Sequence, residues 1–374
     1  MKIAQMRLSN QGITSRRAGS PAEVVRLLGA VQAQDYNHGL WAVGLRTPEP
    51  AAAAVEQALR DGTIMRTWPM RGTLHFIPPE DAGWMLKLLA TRVVAKLTPK
   101  AWAYHALETK DMAVAEKAVI KALRGGKIIP RAAMIDVLKA AGIPNDRQQS
   151  YFIFVYLCQT GVMCLGPPND GSPRKEQTFA LLDEWAPHQR SLDYEESIVE
   201  LARRFFASHG PATLADFAYW SGLRMPEAQL GLDAVQSGLA RETFGGKDYW
   251  LPPDSRPGSG THLLPAYDEL LIGYKDRGPS YETYGPVPIS THNGMFFSTA
   301  VEDGQVIGVW KRTLGKTRVT IEVSPVAPVD ADQVLAHAEI YGRFVGLPPK
   351  LVIKEVTKAG PMHRGFGRPA QLES

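Results

Sequence analysis

The stretch Met112–Leu138, MAVAEKAVIKALRGGKIIPRAAMIDVL, predicts two short helices with a sharp stop between them. Apolar residues recur with helical spacing up to Leu123, and Gly125–Gly126 then ends the first helix, because glycine is favoured just past a helix C-terminus. Pro130 begins a second helix that continues through Leu138, since proline is tolerated in the first helical turn. This pair of helices is the start of a larger unit.

A third helix and two strands complete the unit. Ser150–Gln159 is a strongly apolar helical segment, and residues 161–165 and 177–182 have the composition of paired strands. The turn-rich loop between these strands ends in the basic tip Arg174–Lys175. Three helices followed by a two-stranded wing form a winged helix, which can insert its third helix into a DNA groove and lay its wing on the backbone.

The same order of elements occurs twice more, in residues 8–77 and 196–251. The predicted elements of these copies are a helix from Pro21, Ala51–Leu59, Thr63–Trp68, Gly72–Ile77, Glu196–Ser208, Thr213–Tyr219, Pro226–Gln236, Leu239–Phe244 and Tyr249–Leu251. Thr213 is a predicted helix N-cap, with Asp216 three residues later as in a capping box. Winged helices also serve as protein–protein modules, so the repeat alone does not decide the partner.

After Pro265 the pattern changes to short alternating strands with tight turns at Asn293–Gly294 and Asp303–Gly304, and it ends with a helix from Asp330 through Arg343. We therefore predict an α+β protein with three tandem winged-helix units followed by a mostly β C-terminal domain. The predicted domain boundaries are 1–110, 111–190, 191–259 and 260–374.

The composition is typical of a globular cytoplasmic protein. Of the 374 residues 44% are hydrophobic, and the two cysteines, Cys158 and Cys164, have a spacing that matches no zinc site. The N-terminus has no apolar leader, and no apolar run approaches the ~20 residues that span a bilayer. We therefore expect a cytoplasmic location and no membrane partner. The net charge of +4 does not identify nucleic acid as a partner, because scattered Lys and Arg on solvated faces explain it equally well.

The sequence lacks the motifs of common hydrolases. It has no Walker loop, no Gly-x-Ser-x-Gly elbow and no His-Glu-x-x-His helix, and Gly29, Gly39 and Gly44 do not form a dinucleotide fingerprint. These observations disfavour a nucleotide hydrolase, a serine hydrolase and a metal enzyme. We therefore expect no cofactor and no metal site.

Two glutamines, Gln32 and Gln34, follow an apolar helical stripe that ends at Leu28. In an extended or turn conformation, residues i and i+2 project to the same side, so the two side chains can converge on one small group. Each amide offers donors and acceptors, and together they can hold a water or a sugar. The alternative is a pair of surface glutamines at a frayed helix end. Asp35 either stabilises charge or deprotonates the water at such a site, or it caps a helix or turn.

Four segments, in order along the chain, resemble the winged-helix DNA glycosylases of the AlkZ/YcaQ type. They are Gln32–Asp35, Arg66–His75, Leu264–Leu271 and Asp303–Arg312. The resemblance implies tandem winged helices with a β-barrel-like appendage around duplex DNA, and excision of bulky or cationic alkylpurines, including crosslinks. It places Gln32 and Gln34 on the Gln-x-Gln motif at the centre that forms the abasic site. One branch of the family has Asp at the second position, where this chain has Gln.

Neutral amides limit the chemistry that such a site can perform. A glutamine cannot act as a general base, so an unmodified purine is a poor substrate. N7 alkylation makes the base cationic, and it then leaves as a neutral group without acid assistance. Two preorganised amide dipoles suffice to position a water and to stabilise the oxocarbenium-like sugar. We therefore predict a metal-independent, monofunctional glycosylase in which Gln32 and Gln34 are catalytic.

Several residues near the glutamines are predicted to contact DNA. Period-2 alternation places Arg71, Thr73 and His75 on one strand face, with Arg71 on a phosphate or sugar and His75 as a polar wall of the site. A satisfied, partly buried histidine is the alternative for His75. The other predicted DNA contacts are basic side chains, namely Arg66, Arg174, Lys175, Lys311 and Arg312. We expect a monomer on double-stranded DNA, because three repeats can wrap DNA within one chain.

Other charged and aromatic residues near these segments are predicted to be structural. Asp268 and Arg277 are expected to form an ion pair rather than to touch DNA. Trp41 and Trp68 are expected in the core, where tryptophan occurs more often than on base-stacking surfaces.

A non-enzymatic DNA-binding or regulatory protein that retained the scaffold is the alternative function. The intact Gln-x-Gln motif favours the enzyme. A steep fall of DNA affinity with salt is expected for both functions, so binding alone does not distinguish them.

Overall fold

The computed structural model describes residues 2–15, 18–104, 106–143, 147–169, 176–291 and 295–356. Within these ranges the chain is a mixed α+β protein, as the sequence predicts. The helices are α1 (Ile3–Asn10), α2 (Pro21–Leu28), α3 (Tyr36–Gly44), α4 (Ala52–Arg60), α5 (Ala82–Met85), α6 (Thr91–Tyr104), α7 (Thr109–Leu123), α8 (Arg131–Ala140), α9 (Arg147–Gln159), α10 (Leu182–Trp185), α11 (Tyr194–His209), α12 (Leu214–Ser221), α13 (Met225–Val235), α14 (Glu269–Ile272) and α15 (Ala331–Val345). The strands are β1 (Val31–Gln32), β2 (Met65–Met70), β3 (Thr73–Ile77), β4 (Ile129–Pro130), β5 (Met163–Leu165), β6 (Thr178–Leu181), β7 (Ala240–Phe244), β8 (Lys247–Leu251), β9 (Thr261–Leu264), β10 (Ser298–Glu302), β11 (Gln305–Leu314), β12 (Val319–Pro325) and β13 (Pro349–Ile353). No helix in the described part of the chain is long and apolar enough to cross a membrane.

Local sequence patterns locate these elements well. The three predicted helices of the third repeat are α11, α12 and α13, each within two residues of its predicted bounds. Thr213 caps α12 as predicted, because its hydroxyl accepts a hydrogen bond from the Asp216 N–H (3.1 Å) and the Asp216 carboxylate accepts one from the Thr213 N–H (3.0 Å). Helices α5 and α6 lie between the first and second repeats, and the repeat pattern does not include them.

The strands predicted as the wings of the first two repeats belong to one six-stranded sheet. Its strand order is β1-β3-β2-β5-β6-β4, and Arg66 on β2 pairs with Leu165 on β5 at the junction of the two wings. Each predicted wing has the sequence of a self-contained hairpin, so no local sequence pattern predicts the pairing of β2 with β5. The third wing, β7–β8, is a separate hairpin with its tip at Gly245–Gly246, where both residues have positive φ as its tight turn requires.

The C-terminal strands form a five-stranded sheet of order β13-β12-β11-β10-β9. Helix α15 is the crossover that brings β13 parallel to β12, and the predicted turn at Asp303–Gly304 connects β10 to β11. The predicted turn at Asn293–Gly294 lies outside the described residues. The indoles of Trp41 and Trp310 donate to the carbonyls of Leu263 and Leu264, each over 2.8 Å, and anchor β9.

One apolar core joins the first repeat to the C-terminal sheet. It contains the buried stripe of α2 together with Trp41 of α3, Leu263 of β9 and Phe344 of α15. The rings of Trp41 and Phe344 lie 4.9 Å apart. Trp68 packs in a different core, around α7, α8 and α9, so both predicted core tryptophans are confirmed. The predicted domain boundary between residues 259 and 260 stays a prediction. One apolar core contains residues from both sides of it.

A buried ion pair between Arg46 and Asp268 ties these two regions together. Both side chains are fully buried, and the guanidinium donates to both carboxylate oxygens over 2.9 and 2.8 Å. The remaining donors of Arg46 bind Gln11 and the Ala42 carbonyl. The predicted ion pair between Asp268 and Arg277 is wrong. Asp268 pairs with Arg46 instead, and Arg277 donates to the carbonyl of Leu271. The five N–H groups of Arg46 thus hold the ends of α1 and α3 against the start of α14.

Replacing Asp268 by asparagine should lower the free energy of unfolding by about 3–5 kcal/mol, because it leaves the Arg46 guanidinium buried with an unbalanced charge. Urea unfolding at neutral pH measures this loss. Asp136→Asn, which breaks an exposed ion pair with Lys139, is the matched control and should cost about 1 kcal/mol or less. Equal losses in the two variants would contradict the proposed importance of the buried pair.

Candidate active site

Gln32 lies on the edge strand of the six-stranded sheet. β1 pairs with β3 so that Gln32 is directly opposite His75. The chain turns just afterwards at Asp35, whose carboxylate caps α3 by accepting a hydrogen bond from the His38 N–H (3.0 Å). Of the two interpretations of Asp35, the helix cap is therefore confirmed.

The two glutamine amides have different surroundings. Gln34 is exposed, and its Oε1 accepts a hydrogen bond from the Leu74 N–H (3.0 Å). Gln32 is half-buried, and its Oε1 is buried without a hydrogen-bond partner among the described residues. An unpaired buried amide oxygen costs about 1–3 kcal/mol. This atom is therefore available to accept a hydrogen bond from a ligand.

Arg66 holds the main chain between the glutamines in place. Its guanidinium donates twice to the Ala33 carbonyl, over 3.1 and 2.6 Å, and once to the Gln34 carbonyl over 3.3 Å. It also lies 5.3 Å from the centre of the Tyr36 ring. Burial lowers the pKa of Arg66 to about 10, so the side chain stays charged at neutral pH. Arg66 is thus a support of the loop, while its direct contact with DNA stays a prediction.

Arg71 occupies a tight turn rather than the strand on which alternation places it. Met70 pairs with Thr73, and both turn residues, Arg71 and Gly72, have positive φ. The Arg71 guanidinium nevertheless reaches His75, whose Nε2 accepts its hydrogen bond over 3.3 Å. The other ring nitrogen of His75, Nδ1, then donates to the Thr73 carbonyl over 2.9 Å.

His75 is fully buried and lies behind Arg71. Burial, together with the positive charge of Arg71, lowers the pKa of His75 to about 3, so the ring is neutral. This is the satisfied buried histidine that the sequence allows as an alternative. Thr73 is partly buried on the same strand face, and DNA contacts by Thr73 and Arg71 stay predictions.

Glu269, which the sequence analysis does not single out, lies beneath Gln32. Its Oε1 accepts from the Gln32 N–H over 3.4 Å, and its Oε2 is 3.0 Å from the Trp220 indole N–H and 3.4 Å from His209 Nε2. Burial raises the pKa of Glu269, but the His209 hydrogen bond and the nearby Arg71 charge outweigh it and hold the pKa below its ordinary value. The sequence signals for Glu269 are its place inside the segment Leu264–Leu271 and the apolar run Leu270–Ile272 that follows it.

The remaining predicted DNA contacts lie on β11 or outside the described residues. Lys311 is exposed and forms an ion pair with Glu322 on the neighbouring strand over 2.9 Å. Arg312 is half-buried, 5.7 Å from the ring centre of Tyr341. Arg174 and Lys175 lie outside the described residues. The structure thus brings Gln32, Gln34, Arg66, Arg71, Thr73 and His75 together.

Two amides, two guanidinium groups, the exposed carboxylate of Asp35 and the buried carboxylate of Glu269 therefore lie in or next to this site. Among the residues that the structure describes, no group of three or more His, Cys, Asp or Glu side chains is placed to hold a metal ion. The exposed amide of Gln34 can both donate and accept hydrogen bonds. It is two residues from Gln32, whose Oε1 has no partner among the described residues. Such an arrangement can position and polarise a small polar group.

The class of protein is a DNA glycosylase. The family described as DNA glycosylase AlkZ-like matches residues 25–344, and the chain belongs to this family. The resemblance found in the four sequence segments is thereby confirmed, as is the prediction of an enzyme.

A curated relative and a solved structure, both from Streptomyces sahachiroi, match nearly the whole chain. An interstrand DNA cross-link repair glycosylase is 25% identical over 377 residues, which cover 94% of this chain and 98% of the relative. The solved structure of the DNA glycosylase AlkZ shares the fold, with a TM-score of 0.75 and 24% identity over 94% of this chain and 98% of that one.

Acid is expected to destabilise the protein through its buried histidines. Burial lowers the pKa of His38 to about 4 and that of His75 to about 3, aided by the positive charges of Arg312 and Arg71. Unfolding restores a pKa near 6.5, so below this pH the unfolded chain binds more protons. The free energy of unfolding should therefore fall from about pH 6.5 to 4, by up to about 1.4 kcal/mol per pH unit for each histidine.

Urea unfolding of His75→Gln over the same pH range tests this origin. The slope should become shallower, by up to about 1.4 kcal/mol per pH unit. His188→Gln, at an exposed histidine, is the control and should retain the wild-type slope. An unchanged slope in His75→Gln would show that the acid loss arises elsewhere.

Gly39 of α3 packs directly against the residue between the two glutamines. A Cβ added at Gly39 would lie 2.8 Å from the Ala33 Cβ and 3.0 Å from the Phe76 ring. Gly39→Ala should therefore displace the loop and lower the rate of base excision by tenfold or more, because placement errors of about 1 Å cost up to about 100-fold.

A single-turnover assay on alkylated duplex DNA measures this effect. Gly238→Ala is the matched control, since a Cβ there meets nothing within 4 Å, and it should excise at the wild-type rate. A Gly39→Ala rate equal to that of Gly238→Ala would show that the loop tolerates displacement.

Proposed function

We propose that the protein hydrolyses the N-glycosidic bond of alkylated purines with a positively charged N7 in duplex DNA. Gln32 and Gln34 are the catalytic residues, and no metal or cofactor takes part. The observation that carries this proposal is the buried, unpaired Oε1 of Gln32 beside the exposed amide of Gln34, in a loop that Arg66 holds rigid.

The reaction needs a positioned water rather than a strong base. The C1′–N9 bond breaks with its electron pair passing to N9, and the cationic base leaves as a neutral purine. The amide oxygen of Gln32 accepts a hydrogen bond from the water that attacks C1′, and the amide of Gln34 orients it. The new C1′–O bond forms as the water releases one proton to solvent. Preorganised dipoles of this kind lower a barrier because they do not have to reorient during the reaction.

The ionisable groups around the glutamines support this assignment. His75 is neutral and fully buried, and both of its ring nitrogens are engaged by Arg71 and Thr73. Glu269 is 1% exposed and lies behind the main chain of Gln32. Neither of these two buried side chains reaches a substrate as a general base, and the exposed Asp35 carboxylate is used as the cap of α3.

The DNA duplex binds across the exposed basic groups near the site. Arg71 contacts a phosphate or sugar beside the flipped nucleotide, and Lys311 and Arg312 contact the backbone from the C-terminal sheet. Arg174 and Lys175 do the same from the second wing. Three winged-helix units divided at residues 110, 190 and 259 wrap the duplex, and the protein acts as a cytoplasmic monomer.

Crosslinked bases are included among the proposed substrates. The Streptomyces sahachiroi relative is described as an interstrand DNA cross-link repair glycosylase. Purines crosslinked through N7 share the cationic leaving group with N7-methylguanine. The edge position of β1 gives the site an open side, on which a bulky adduct meets no covering strand.

Replacing Gln32 or Gln34 by alanine should lower the single-turnover rate on N7-methylguanine duplex DNA by about 100-fold or more, as loss of one preorganised donor does in other enzymes. Abasic sites are counted after alkaline cleavage. Addition of a chelator should leave the wild-type rate unchanged.

Gln229→Ala, at an exposed glutamine on α13, is the matched control and should excise at the wild-type rate. The same duplex without the alkylated base should remain intact. The proposal is overturned if wild type forms no abasic sites, or if both alanine variants excise as fast as wild type.

A further inference from the structure

A buried carboxylate lies beneath the proposed catalytic strand, and the reaction described above does not use it. Glu269 accepts from three donors that belong to distant parts of the chain, the Gln32 N–H (3.4 Å), the Trp220 indole (3.0 Å) and His209 Nε2 (3.4 Å). His209 is itself held, with Ser208 Oγ 2.8 Å from its Nδ1. Ser208 is fully buried, so this chain of contacts is not a hydrolase triad.

Arg71 is the nearby cation that this carboxylate attracts. The negative charge of Glu269 acts on Arg71, and the positive charge of Arg277 opposes it. Arg71 also has a left-handed backbone conformation (φ 55°), which costs a non-glycine residue about 1 kcal/mol or more. The His75 hydrogen bond and the attraction to Glu269 hold the guanidinium in this turn.

We propose that Glu269 is a positioning residue of the glycosylase site, whose carboxylate aligns the main chain of Gln32 with the guanidinium of Arg71. The amides and the cation then engage the same nucleotide. This inference rests on the function proposed for Gln32 and Gln34. Glu269 does not touch the substrate, and it acts through the two groups that do.

The alignment explains why a full charge is buried at this point. Trp220 and His209 direct Oε2 away from the strand, which leaves Oε1 to face Gln32. A carboxylate whose lone pairs are held by fixed donors has one orientation. Its Oε1 then fixes the N–H of Gln32, while its negative charge attracts Arg71. Small displacements matter here, because an error of about 1 Å at a reacting group costs up to about 100-fold in rate.

Glu269→Gln tests the proposal, because it keeps the shape of the side chain and removes its charge. The single-turnover rate on N7-methylguanine duplex should fall by 10- to 100-fold, while the Kd for a duplex with an abasic-site analogue changes by less than fivefold. A rate within twofold of wild type would overturn the proposal. Glu227→Gln is the matched control, since Glu227 is also buried and pairs with Arg92 and Arg224 away from the glutamines, and it should retain the wild-type rate.

A double-mutant cycle separates positioning from a general loss of stability. The factor by which Glu269→Gln lowers the rate should be at least three times smaller in an Arg71→Met background than in wild type. Effects that simply multiply would overturn the link to Arg71. If Glu269→Gln does not fold, Trp220→Phe removes only the indole donor and should slow excision by 3- to 10-fold, whereas a wild-type rate would overturn the proposal.

Hydrogen exchange provides a readout that does not depend on activity. Glu269→Gln should speed amide exchange in residues 31–35 and 70–76 by at least threefold, and Glu227→Gln should not. Unchanged exchange in both segments would overturn the role of Glu269. If wild type forms no abasic sites, the proposed function fails, and the exchange result still decides whether Glu269 holds these two segments.

Discussion

The buried ion pair between Arg46 and Asp268 is the interaction on which the rest of the structure depends. All five N–H groups of the guanidinium have acceptors, and both carboxylate oxygens accept from them. These hydrogen bonds offset the cost of burying two charges. The pair joins the N-terminal helices to α14 across 222 residues. Because Glu269 follows Asp268 directly, the same contact places a carboxylate beneath Gln32. Loss of the pair would therefore disturb both the core and the site.

The site follows from how polar groups are held rather than from a strong acid or base. Arg66 uses its guanidinium on two carbonyls of the loop, so the backbone around Ala33 has little freedom. His75 and Glu269 are buried and engaged by neighbours, which removes them from proton transfer and makes them supports. The exposed polar side chains here are the amide of Gln34 and the carboxylate of Asp35, which caps α3. The role proposed for the two amides suits a leaving group that already carries positive charge, which agrees with membership of a DNA glycosylase family.

Local patterns in the sequence predicted much of the fold. The capping box at Thr213, the glycine turn at Gly245–Gly246 and the turn at Asp303–Gly304 are all present, because each depends on residues less than about five positions apart. The convergence of the Gln32 and Gln34 side chains on one group was predicted from their spacing alone, and it stays a prediction. The placement of Arg71 was wrong in detail, since alternation applies to strand residues and Arg71 lies in the turn. The partner of Asp268 was also wrong, because a charged side chain carries no indication of which distant charge it meets.

The sequence by itself determined the helices, the hairpins and the class of protein, and it singled out the two glutamines as candidates. Only the tertiary structure decided that β1–β6 form one sheet, that Arg66 and His75 hydrogen-bond to the loop and turn around the glutamines, and that Glu269 contacts Gln32. The physical reason is the range of the interactions. Caps, turns and periodicity act between near neighbours and leave a local pattern, whereas the contact of Gln32 with Glu269 spans 237 residues and leaves none. Long-range polar contacts are selected by packing, which brings buried donors to the acceptors that they require.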